Sequence, residues 1–124
     1  EQDGYLTAAE VTGMDLEGTE LTTLSACQTG LGDVRSGEGV YGLQRALAVA
    51  GSRSSLLTLW KVGDAGTQEF MAEYYRRLER GEGRAEALAA TQAFFRRHTN
   101  EEYRHVYWWG AFQLSGDWRP LPRW

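Results

Sequence analysis

Residues 22–32 read TTLSACQTGLG and hold the single cysteine of the chain, Cys27. Residues 21–26 are a short apolar and β-branched run, the pattern of a buried strand. The run stops at a turn of small residues, with Cys27 on its corner. A second run of this kind, SSLLTLW, fills residues 54–60. Between the two lie a glycine-rich loop (30–39) and a helical repeat. In that repeat Val40, Leu43, Leu47 and Ala50 share one face, and Gly51 stops it. Strand, helix, strand is the unit of a parallel sheet.

The remaining chain extends this pattern. Thr7 with Glu10 three residues on is a capping box, and Gly13 is placed to close that short helix in the left-handed conformation. Asp64 or Thr67 can cap a third helix in which Phe70, Tyr74 and Leu78 align, with Gly81 at its end. Residues 84–98 predict a fourth helix with Leu88, Thr91 and Phe95 on one side. Arg96, Arg97 and His98 in its last turn suit the negative end of the helix dipole. Residues 106–114 predict an aromatic final strand, in which Trp108 and Trp109 point to opposite faces. Tyr74, Tyr75, Phe94 and Phe95 are expected in the core, and Arg76, Arg77 and Arg80 on a solvated helix face. The fold class is therefore α/β with a mainly parallel sheet. Three strands are few for such buried runs, so the sheet is expected to be completed by a partner segment.

Composition narrows the function. The 124 residues are 42% hydrophobic and 24% charged, enough for one domain with a real core. A net charge of −4 argues against nucleic acid or an anionic membrane surface as the main partner. No apolar run reaches the roughly 18 residues that span a bilayer. One cysteine rules out an internal disulfide and fits a reducing cytoplasm. One cysteine and two histidines are too few and too badly spaced for a four-ligand zinc site. No metal or cofactor is expected in the chemistry.

In α/β sheets, sites form beyond the carboxyl ends of the strands. Cys27 stands there, where a strand would fix a nucleophile and a turn would expose it. The competing reading is a buried structural cysteine. A reactive thiolate needs a base or dipole beside it, and backbone N–H groups of the turn could hold an oxyanion. His98 ends an amphipathic helix and reads as a capping residue. His105 could reach the Cys27 edge only if the last strand ran antiparallel. The base is expected outside this chain. Read as a phosphate loop, the glycines match poorly. Gly30 and Gly32 lack the third glycine, Glu38 and Gly39 replace the Lys and Ser/Thr of a P-loop, and Asp33 and Glu38 would repel phosphate.

The stretches LTTLSACQTGLGDVRSGEGVYGLQRALAVAGSRS, SLLTLWKVGDAGT and WWGAFQLSGDW resemble the C-terminal part of CHAT domains. These are caspase-like cysteine peptidases often found with tetratricopeptide repeats, and more distantly similar to separases. The resemblance implies that residues 1–124 are a C-terminal portion or subunit of such a peptidase, folded as an incomplete caspase-like three-layer sandwich. It implies that Cys27 is the nucleophile and that its backbone N–H is one oxyanion donor. It also implies a base histidine in an upstream HG motif, and no histidine precedes Cys27 here. The partner it implies is an N-terminal segment carrying that histidine. A tetratricopeptide-repeat region is a further possible partner, and the substrate is a protein. In separase-like proteins a Trp-x-Val-x-Asp strand end supplies an aspartate that pairs with a basic P1 residue. Trp60, Val62 and Asp64 keep this pattern, and with Ser25 they form the implied substrate-binding set. The alternative role for Asp64 is a helix N-cap. A non-catalytic interaction module and a nucleotide-binding domain are the rival functions.

Overall fold

The computed structural model of the protein describes residues 8–24, 38–60 and 62–122. In chain order they form helix α1 (Ala8–Thr12), strand β1 (Thr22–Leu24), α2 (Glu38–Ala50), β2 (Ser54–Thr58), α3 (Asp64–Glu79) and α4 (Arg84–Arg96). A 3₁₀ turn (Glu101–Arg104), a one-turn helix α5 (Val106–Trp109) and β3 (Phe112–Gly116) follow. Thr7, Ser25, Cys27 and residues 30–37 of the glycine loop lie outside the described residues.

The expected α/β class is what forms. The sheet has the order β1-β2-β3 and is mixed. β1 and β2 are parallel, with Leu24 opposite Leu57. β3 runs antiparallel to β2, with Phe112 opposite Thr58. A parallel pair needs a crossover, which α2 supplies.

β2 is the central strand, and all five of its residues are buried. Because side chains alternate along a strand, Leu56 and Leu57 serve two different cores. Leu57 packs with Val11, Leu43 and Leu47 of α1 and α2. Leu56 packs with Phe70, Tyr74 and Phe95 of α3 and α4. Helices therefore cover both faces, giving three layers. Each such leucine, fully buried, contributes about 1.5–3 kcal/mol. Phe70 is the hub of the second core. Its ring stacks on Phe112 at 3.8 Å and meets Phe95 edge-on at 5.1 Å. β1 is only half-buried, and among the described residues nothing pairs with its outer edge.

Several expectations are corrected. Residues 106–109 are not a strand. Gly110 N–H closes a helical turn on the Val106 carbonyl at 2.8 Å, and the His105 side chain caps its start by accepting from Tyr107 N–H. Trp109 Nε1 donates back to the Arg104 carbonyl at 3.0 Å. These local bonds and the packing of both tryptophans outweigh the strand preference of an aromatic run. Trp108 and Trp109 are both half-buried, on one turn, rather than on opposite faces. Tyr75 and Phe94 are 43% and 41% exposed, so only Tyr74 and Phe95 of the four aromatics are core. Gly51 and Gly81 follow the ends of α2 and α3, as expected, and take positive φ, whereas Gly13, expected to be left-handed, does not. The helix ending near His98 stops at Arg96. Of the expected solvated arginines, Arg76 and Arg80 are exposed, while Arg77 is half-buried against Glu73.

At the amino-terminal end of the strands sits a feature that spacing does not reveal. Arg84 is 1% exposed. Its guanidinium donates to Glu20 Oε1 at 2.8 Å, to Ser54 Oγ at 3.3 Å and to the Asp117 carbonyl at 3.2 Å. One side chain thus ties the approach to β1, the start of β2, the end of β3 and the start of α4. Burying a cation is costly unless it is paired and hydrogen-bonded, and this one is. The tail also caps α4: Arg84 and Ala85 N–H groups donate to the carbonyls of Arg119 and Trp118.

Candidate functional site at the carboxyl end of the sheet

Since β1 and β2 are parallel, the two strands end at the same side of the sheet. β1 ends at Leu24, three residues before Cys27, and three residues reach no further than about 11 Å. β2 ends at Thr58, and the segment after it leads to Asp64 at the start of α3.

In this segment Trp60 is half-buried against the second core, and its Nε1 donates to the Tyr107 carbonyl at 2.9 Å. The Val62 side chain is buried in that core at 6% exposure, so any surface it offers a ligand is main chain. Gly63 holds the cap position of α3 and Asp64 is the first helical residue, so Asp64 is not the N-cap. Thr67, the other cap candidate, lies inside the helix; its N–H donates to the Gly63 carbonyl at 3.0 Å. The Asp64 carboxylate is exposed and makes no hydrogen bond or ion pair among the described residues. It also sits at the positive end of the helix dipole, where a carboxylate is favoured.

The segment is braced by a contact that the sequence pattern does not announce. The Trp108 indole covers Gly63 and Gly66. A Cβ on Gly66 would stand 2.0 Å from Trp108 Cζ3, and one on Gly63 would stand 3.2 Å from Cη2. The two glycines of WKVGDAG are the signal that could have disclosed it, since glycine permits close approach.

Both histidines have partners. The His98 side chain is 10% exposed and bonds Glu69 through Nε2. Its Nδ1 accepts the Asn100 N–H at 2.9 Å, so that lone pair is taken. It is therefore a packed residue between Phe95 and Tyr103. His105 uses Nδ1 to accept the Tyr107 N–H at 3.0 Å. β3 does run antiparallel, so its start and the turn before it lie at the carboxyl end of β2. Yet β3 is two strands from β1, a separation of about 9–10 Å.

An apolar cavity of about 210 Å³ lies under the first half of α3, lined in part by Thr23, Leu24, Met71, Tyr75 and Phe112. Among the described residues no group of three metal-ligating side chains occurs. No helix among them is long and apolar enough to cross a membrane.

The architecture is that of an α/β protein with a mixed sheet between two layers of helices. The model of the CHAT domain matches residues 1–117. The chain belongs to the CHAT domain family. It is also 30% identical over 115 residues to tetratricopeptide repeat protein 28 of Homo sapiens. That alignment covers 93% of this chain and 4% of the relative, so the chain spans only a small part of the relative's length. No solved structure matches.

Proposed function

We propose that the chain is the cysteine-bearing part of a caspase-like cysteine endopeptidase. The observation that supports this reading is the parallel pairing of β1 and β2 in a CHAT-family chain, which brings to one side of the sheet the ends of the two strands that precede Cys27 and Asp64 in sequence. The Cys27 thiolate attacks the scissile carbonyl carbon. Its backbone N–H and a second donor hold the oxyanion. A histidine supplied by a segment preceding residue 1 takes the thiol proton and returns it to the leaving amine. Water then hydrolyses the thioester and frees the acid. Asp64 selects a basic P1 residue by a charge-assisted, bidentate bond, with Trp60, Val62 and Ser25 around it.

Two observations support the assembly from two segments. The outer edge of β1 is unpaired among the described residues, and an open edge invites a further strand. Neither histidine of the chain has the partners expected of a base for Cys27. A tetratricopeptide-repeat region beside this domain follows the relative, and a cytoplasmic site follows the lone thiol. The second reading is a non-catalytic interaction module. It is favoured by the hydrogen bonds that engage Nδ1 of both histidines.

The test is cleavage by the protein with its natural flanking sequence, before and after Cys27→Ala. Loss of cleavage with retained thermal stability is the expected result. Undiminished cleavage removes Cys27 from the chemistry and leaves the interaction module.

A further inference from the structure

The segment that carries Asp64 is held on both sides of that residue by a single aromatic turn. Upstream, Trp60 Nε1 donates to the Tyr107 carbonyl at 2.9 Å, and the two rings lie 6.4 Å apart. On either side of Asp64, the Trp108 indole packs on Gly63 and Gly66 with no room for a Cβ on Gly66. Trp108 is itself fixed, edge-on to Tyr107 at 5.4 Å and to Tyr103 at 4.7 Å. The Trp108 main-chain N–H donates to the His105 carbonyl at 3.0 Å. By contrast, the cap of α3 has no side-chain hydrogen bond of its own. Beyond the local bonds of Thr67, whose Oγ1 donates to the Val62 carbonyl at 3.5 Å and whose N–H donates to the Gly63 carbonyl at 3.0 Å, the start of this helix is braced by a ring from α5.

From this we infer that Trp108 is a positioning residue for substrate selection: it fixes the Asp64 carboxylate by wedging against Gly63 and Gly66. The inference rests on the reading of Asp64 as the P1-selecting residue. A bidentate carboxylate–guanidinium pair is strict in geometry, so a small displacement of the helix start weakens it while leaving an apolar P1 residue unaffected. The ligand class is a peptide with arginine or lysine at P1.

The experiment compares kcat/KM for two fluorogenic peptides that differ only in Arg or Leu at P1. The protein carries its natural flanking sequence. Asp64→Ala is the reference, and Leu88→Ala, in the same core, controls for lost stability. Gly66→Ala and Trp108→Ala are expected to lower the Arg-to-Leu ratio about tenfold, as misplacement of a positioning group does. The loss should fall on the Arg peptide, and Trp108→Phe should restore much of the ratio. Where Trp108→Ala does not fold, Gly66→Ala and Trp108→Phe carry the comparison. If Asp64→Ala loses the ratio while Gly66→Ala and both Trp108 variants keep it, the positioning role is overturned alone. If Asp64→Ala leaves the ratio unchanged, or neither peptide is cleaved, the reading of Asp64 falls and the inference with it. An equal fall in Leu88→Ala reduces Trp108 to a stabilising residue and also overturns the inference.

Discussion

Arg84 Nη2 donates to Glu20 Oε1 at 2.8 Å from a side chain that is 1% exposed, across 64 residues of sequence. The bond joins the approach to β1 to the start of α4. Breaking a fully buried pair costs about 3–5 kcal/mol, and here part of that is spared because Glu20 keeps Arg53 at 3.6 Å and Asp117 keeps Arg119 at 2.8 Å. Arg84→Met is therefore expected to lower stability, read from urea unfolding, by about 2–3 kcal/mol. Arg84→Lys should not restore it, because an ammonium cannot reproduce the planar fork that reaches Ser54, Asp117 and Glu20 together. A loss of less than about 1 kcal/mol, the range of exposed ion pairs, would contradict this account of the network.

Asp117, at the same end of the sheet, gives a pH dependence. Its carboxylate accepts the Arg119 side chain at 2.8 and 3.0 Å and the Arg119 N–H at 3.0 Å. The Arg119 side-chain bonds first, and the N–H second, hold the carboxyl well below the usual carboxylate range. A depressed native pKa stabilises the fold above the unfolded value of about 3.9, and this contribution is lost as pH falls below it. Wild type is thus expected to lose stability more steeply than Asp117→Asn below about pH 4. The difference should shrink in high salt, as exposed pairs do. Urea unfolding across the acid range at two salt concentrations reads both effects.

Phe70 tests the second core. It is 0% exposed, stacked on Phe112 and edge-on to Phe95. Phe70→Ala removes a ring from a site closed on three sides, and the expected loss is about 3–5 kcal/mol. Phe94→Ala, on the same helix as Phe95 but 41% exposed, should cost well under half as much in the same denaturation experiment.

Much of this layout was legible in the sequence. The runs at residues 21–26 and 54–60 announced a parallel pair because buried strands read as continuous apolar stretches. Gly51 and Gly81 marked helix ends because their φ values of 116° and 93° suit glycine alone. Residues 106–109 misled, since an aromatic run carries strand preference while the bonds that curl it come from His105, Gly110 and distant partners. Arg84 was illegible for a related reason. A buried arginine at the start of a helix resembles any solvated one until Glu20 and Asp117 arrive from elsewhere in the chain. At the candidate site, the order Trp60, Val62, Asp64 was readable. That Val62 faces the core and Trp108 braces the glycines was not, because both depend on tertiary packing.

Gly51 gives a sharper backbone test. A Cβ there would stand 2.6 Å from the Glu17 main-chain nitrogen, and the residue already takes a left-handed φ. Gly51→Ala combines both penalties and is expected to cost more than about 1 kcal/mol. Gly42→Ala, inside the helix that Gly51 ends and with open space around it, should be neutral or stabilising. The pair compares a strained glycine with an unstrained one by thermal unfolding.

The most direct test of a Cys27 peptidase is intact mass of the protein with its natural flanking sequence, taken before and after a peptidyl-arginine chloromethyl ketone. The account predicts one added inhibitor mass, located on the peptide that contains Cys27, and no addition in Cys27→Ala or in a denatured control. It also predicts slower labelling in Asp64→Ala. A folded, full-length protein that gains no mass, or gains it equally after Cys27→Ala, would contradict an activated Cys27 thiol.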